Sequence, residues 1–199
     1  MSKNSRKLRI YFVIAFVSII VLGIAYAALQ ATLTITFGNV TQNKLTWAVA
    51  FQGTSASGSV GGTSGTGRTC GTASISGTSV TVAATELSKP GDSCTYTLTV
   101  KNTGDINAKL TTITPTKPTV GGNAATCTTA TGPTLACGNI TYRLLSSTSG
   151  SGTVLATNTN LNAGASQTIY LEAKFTGTSL PSAAIVQNGA AFSLKYEQN

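Results

Sequence analysis

The chain has no histidine, only five acidic residues in 199, and a single methionine and a single tryptophan. Without histidine it lacks the commonest general base and the commonest transition-metal ligand. Its acids, Glu86, Asp92, Asp105, Glu172 and Glu197, stand apart in sequence, and no nucleophile-elbow serine motif occurs. The expectation is a protein that is not an enzyme and carries neither a metal nor another cofactor. Glu86, Asp92 and Glu172 are the best catalytic candidates, yet each has a plainer role: loop polarity, turn geometry beside Gly91, and strand-surface charge.

Charge is scarce overall, at 9% of residues. The formal +8 is concentrated at the start, where Lys3, Arg6, Lys7 and Arg9 sit; nine cations against five acids leave +4 for the rest. Those nine, Lys44, Arg68, Lys89, Lys101, Lys109, Lys117, Arg143, Lys174 and Lys195, are dispersed singly. Nucleic-acid binding needs clustered positive charge to displace counterions, so no nucleic-acid partner is expected. Gly61-Gly62 and Gly65-Thr66-Gly67 lack the Gly-Lys-Ser/Thr ending of a phosphate loop.

What the chain does have is a basic start followed by eighteen uncharged residues, Ile10 to Ala27. Small residues at Ala25 and Ala27 occupy the −3 and −1 positions of a cleavage site ahead of Ala28, as signal peptidase requires. The run is long for a signal peptide and just long enough to span hydrocarbon. Residues 1–27 are therefore expected to be a signal peptide or an N-terminal membrane anchor. The protein is placed outside the cytoplasm, secreted or at the cell surface, tethered by the N-terminal helix if that helix is kept. Signal peptidase and the membrane are its partners during export.

Cys70, Cys94, Cys127 and Cys137 make an even count in an exported chain, which predicts two disulfides. No Cys-x-x-Cys knuckle favours zinc. Three connectivities remain open: Cys127 with Cys137 would close a short loop, and Cys70 with Cys94 would tie neighbouring strands.

After the leader, period-two alternation recurs, the mark of half-buried strands. Leu29, Ala31, Leu33, Ile35 and Phe37 alternate with Gln30, Thr32, Thr34 and Thr36, and Leu45, Trp47, Val49 and Phe51 repeat the pattern. Further strands are expected at 73–75, 79–84, 94–101, 108–114, 140–145, 153–156, 167–175 and 191–197. Turn chemistry at Pro90-Gly91-Asp92, Asn102-Thr103-Gly104-Asp105 and Ala163-Gly164-Ala165 separates some of them. The reading is an all-β chain, residues 28–199 forming one antiparallel β-sandwich of immunoglobulin-like or jelly-roll-like type, with a closed barrel as the structural alternative. Residues 52–69 read as a flexible loop and 115–138 as an irregular loop excursion.

The junction Ala25 to Val40, "AYAALQATLTITFGNV", followed by Leu87 to Leu110, "LSKPGDSCTYTLTVKNTGDINAKL", resembles the TasA/camelysin family of exported biofilm-matrix fibre proteins. The resemblance covers the front half of the chain. It implies self-association into a head-to-tail homopolymer by donor-strand exchange, with the strand carrying Leu29, Leu33, Ile35 and Phe37 completing the sheet of the next subunit. Burying those four side chains is worth roughly 6 to 12 kcal/mol. The family's described metal-dependent peptidase activity is not carried over, because this chain lacks the ligands for it. The alternative expectation is a membrane-anchored cell-surface adhesion or binding module whose ligand the sequence does not name.

Overall fold

The computed structural model describes residues 12–18, 44–62, 68–149 and 151–199. The chain divides into two units, Met1–Asn43 and Lys44–Asn199. In the first, residues 12–18 are helical and exposed, and Ser18 Oγ donates to the Ile14 carbonyl at 2.9 Å. Among the described residues, no helix is long and apolar enough to cross a membrane. The cleavage positions Ala25, Ala27 and Ala28, the boundary at 27/28, and the assembly-strand residues Leu29, Leu33, Ile35 and Phe37 lie outside the described residues.

The second unit is all-β. In chain order its described strands are β1 (Val49–Phe51), β2 (Ser55–Ala56), β3 (Gly58–Gly61), β4 (Ala73–Ser76), β5 (Ser79–Val82), β6 (Ser93–Asn102), β7 (Ala108–Thr116) and β8 (Thr119–Val120). There follow β9 (Asn123–Ala124), β10 (Cys127–Thr131), β11 (Thr134–Cys137), β12 (Ile140–Ser147), β13 (Thr153–Val154), β14 (Thr159–Leu161), β15 (Ser166–Phe175) and β16 (Ala191–Gln198). The largest sheet runs β1-β6-β15-β12-β11-β10, with β3 also on β6 and β13 on β12. Two three-stranded sheets, β14-β7-β16 and β2-β4-β5, and the β8-β9 pair complete a curled half-barrel of antiparallel sheets.

Alternation on β6 sets the core. Cys94, Tyr96, Leu98 and Val100 are buried on one face, while Thr95, Thr97 and Thr99 take the other. Register carries the same face onto β15, where Ile169 lies opposite Leu98, Leu171 opposite Tyr96 and Ala173 opposite Cys94. Against this face pack Ile75, Leu110, Ile113, Leu155 and Leu161. Each fully buried aliphatic side chain contributes about 1.5–3 kcal/mol.

The turns bounding β6 follow from their residues. Asp92 N–H donates to the Lys89 carbonyl at 3.0 Å across Pro90-Gly91, with Gly91 at φ 92°, a left-handed conformation that glycine adopts without steric cost. At the other end the fully buried Asn102 donates from Nδ2 to the Ile106 and Leu161 carbonyls at 2.8 and 3.1 Å, while its Oδ1 accepts the Gly104 N–H at 3.0 Å. A Cβ at Gly104 would lie 2.6 Å from the Thr46 carbonyl, so glycine lets the incoming chain pass close by.

Two expected loops carry more order than their composition indicates. Residues 52–69 contain β2 and β3, and β3 pairs with β6 so that Val60 lies opposite Cys94. Residues 115–138 contain the β8-β9 pair and the β10-β11 hairpin. Cys127 and Cys137 are disulfide-bonded across that hairpin, and Cys70 is bonded to Cys94 on β6. The closed loops, with sequence separations of 10 and 24, correspond to about 2.5–3.5 kcal/mol each in the chain-entropy picture.

Candidate functional site

Two strands of the second unit end their sheets with an unpaired edge. β5 pairs only with β4, and β16 only with β7, among the described residues. Both alternate: Val80 and Val82 on β5, and Phe192, Leu194 and Tyr196 on β16, are half-buried, while the residues between them are exposed. Between the two edges lies a groove of about 1090 Å³. Its floor is the apolar face of the large sheet, from Tyr96, Leu98 and Val100 on β6 to Ile169 and Leu171 on β15 and Leu144 on β12. No charged side chain is among its described lining residues.

One end of the groove is marked by Val100. Phe51, opposite Val100, donates its N–H to the Gly77 carbonyl just ahead of β5, and Trp47 and Val49 line the groove beside it. At that end Tyr196 Oη donates to Oε1 of Gln167, the register partner of Val100, at 3.3 Å. The other end is marked by Cys94. There Val82 packs around Ala73, Cys94 and Tyr96, and Gln187 Nε2 donates to the Cys137 carbonyl at 2.9 Å. Hence β5 runs from the Val100 end to the Cys94 end and β16 runs back. The groove's two edges have opposite polarity.

The tyrosine hydroxyls at the groove are hydrogen-bonded. Tyr96 Oη and Thr85 Oγ1 are 2.8 Å apart, and Tyr142 Oη donates to Gln187 Oε1 at 3.2 Å. Burial pushes the Tyr142 phenol up, and that of Tyr196 up to about 12. Among the described residues the site is an apolar slot with two rows of unbonded strand edge; it offers shape and backbone hydrogen bonds, and its described lining carries no charged group for chemistry.

The acids singled out from sequence are not gathered here. Asp92 accepts the N–H groups of Lys89 at 2.9 Å and Ser88 at 3.1 Å and faces Arg68 at 3.3 Å. Burial alone would raise its carboxyl, but the Lys89 and Ser88 amides and the Arg68 guanidinium outweigh it and hold Asp92 below the usual carboxylate value. Glu172 accepts from Arg143 Nε and Nη2 at 2.8 and 2.6 Å on the opposite face of the large sheet. Glu86 is exposed beyond β5 and pairs by backbone with Thr69. Among the described residues, no three His, Cys, Asp or Glu side chains converge as a metal-ligand set.

Asp105 holds the point where the described domain begins. Its Oδ2 accepts from Thr46 N–H at 3.0 Å and Thr46 Oγ1 at 2.7 Å, and those same two donors keep its carboxyl low. Backbone bonds from Thr103 to Ala48 and from Asp105 to Thr46 complete the clip at 2.8 and 2.9 Å.

Strands at 79–84 and 191–197 are expected from the sequence, but not that the two border one open slot. An unpaired edge leaves no local mark, since its residues match those of a paired strand. The chain matches no protein-family model, no curated protein and no solved structure.

Proposed function

We propose that this chain is an exported structural protein of the TasA/camelysin kind, a β-sandwich lacking one strand that polymerises head to tail into extracellular filaments or matrix. The segment Ala28–Phe37 of one subunit fills the groove of the next. The observation that carries the reading is the uncharged groove between the two unpaired edges of β5 and β16. Leu29, Leu33, Ile35 and Phe37 would enter its floor while both ladders of backbone groups are completed, which is the physics of strand addition. Two disulfides fit an oxidising compartment and an exported product. No catalytic role is assigned, since Asp92 and Glu172 are engaged in a turn and an ion pair.

Electron microscopy of the chain beginning at Ala28 and of one beginning at Lys44 tests this. Filaments are expected from the first and none from the second. The emission of Trp47, the chain's single tryptophan and 38% exposed at the groove, should shift to shorter wavelength as the first assembles. Monomers under all conditions, with N-terminal sequencing that finds Ala28 first, would refute the proposal.

A further inference from the structure

The opposite polarity of β5 and β16 means that one strand placed between them lies antiparallel to one edge and parallel to the other. β16 offers eight residues of edge and β5 only four. Antiparallel ladders are the more stable per residue. The longer edge therefore favours a guest running against β16, with its first residue at the Val100 end and its last at the Cys94 end.

Building on the proposed assembly, we infer that the groove selects its occupant by polarity, accepting Ala28–Phe37 of a second copy antiparallel to β16 and disfavouring the chain's own strand. The clip between Thr46 and Asp105 places Lys44 close to the Val100 end of its own domain. A guest lying against β16 puts Phe37 at the Cys94 end. From first to last Cα the eight residues of β16 span about 23 Å at ~3.3 Å per step. The link from Phe37 to Lys44, through the six residues 38–43, reaches about 25 Å at full extension. That leaves about 2 Å, too little to turn out of the groove and run back over the filled slot, so self-filling in this polarity is disfavoured.

Between copies the same link is easy: the Val100 end of the donor sits against the Cys94 end of the acceptor. Repeating that contact is heterologous and open, so it gives a filament. A reciprocal dimer that exchanges strands with its two Val100 ends together would insert each strand parallel to β16, as would self-insertion. Polarity along one edge thus separates the filament from both closed forms.

Paired cysteines distinguish the arrangements, because the alternating Thr and Gln positions of the strand and the exposed positions of β16 both avoid the groove floor. In filaments, Thr36→Cys with Ala191→Cys, and Gln30→Cys with Glu197→Cys, which are opposed in one antiparallel register, should oxidise to covalent ladders on a non-reducing gel. Thr36→Cys with Glu197→Cys should stay monomeric. Filaments in which Thr36→Cys instead joins Glu197→Cys, or in which neither pairing crosslinks, would overturn the polarity while leaving filament formation standing. Monomers or dimers carrying the Thr36 to Glu197 crosslink, or an absence of both filaments and crosslinks, would overturn both. Wild-type filaments imaged at side-chain detail read the same strand direction without substitutions.

Discussion

Replacing Leu194 with lysine separates folding from assembly. Leu194 is half-buried on β16, opposite Ile113 of β7, and lines the groove. Full burial of a leucine is worth about 1.5–3 kcal/mol, so half burial in the lone subunit contributes about 1 kcal/mol. A lysine stem that runs to the groove mouth keeps part of that. Leu194→Lys is therefore expected to fold, with a melting temperature lower by about 2–4 °C. In a filled groove the ammonium is closed against apolar side chains, with no carboxylate among the described lining residues to pair with it. That burial and the lost leucine contact together cost at least about 3 kcal/mol per subunit contact, which weakens association roughly 100-fold. Sedimentation velocity over a concentration series reads the onset of assembly, and circular dichroism confirms the fold. A folded Leu194→Lys protein that assembles at the wild-type concentration would show that the strand does not enter this groove.

Removing Cys127 and Cys137 together as alanines should cost about 2.5–3 kcal/mol, and removing Cys70 and Cys94 about 3.5 kcal/mol, by loop length; urea titrations showing less than a third of either would contradict the chain-entropy estimate. Asp92 has a depressed carboxyl in the fold, so its stabilisation is complete above the ordinary value of 3.8 and is lost as pH falls through the lower folded value. Asp92→Asn should lower stability at neutral pH and flatten its decline below pH 3.8, followed by acid titration of the unfolding midpoint. Tyr196 is pushed up to about 12 by burial, so the fold loses stability as pH rises from the ordinary phenol value of 10.0, and Tyr196→Phe should reduce that alkaline loss in a pH series of thermal melts.

Much of the β architecture was legible because burial on one face imposes period two. The expected strand 94–101 corresponds to β6 at Ser93–Asn102, 167–175 to β15 at Ser166–Phe175, and 191–197 to β16 at Ala191–Gln198. What stayed hidden depends on partners distant in sequence. β3 reads as loop because glycine and serine carry no apolar alternation, yet it bonds along β6. At Gly58 an added Cβ would meet Cys70 Cβ at 2.6 Å and the Tyr96 ring at 2.8 Å, so glycine there is a condition for close approach. The β10-β11 hairpin was hidden by a similar Thr-rich composition. The groove was illegible for a different reason: it consists of hydrogen bonds not made, between strands far apart in the chain.

The clip at Thr46 and Asp105 also has a mechanical meaning. Tension applied through the N-terminal segment reaches the domain first at Thr46 and Ala48, and passes by way of β1, antiparallel to β6 in the register Val49 to Asn102 and Phe51 to Val100, into the widest sheet. Pulled along its length, that short strand is loaded in shear, so its bonds share the force and must fail together. A carboxylate holding both the amide and the hydroxyl of Thr46 reinforces the point where the load arrives.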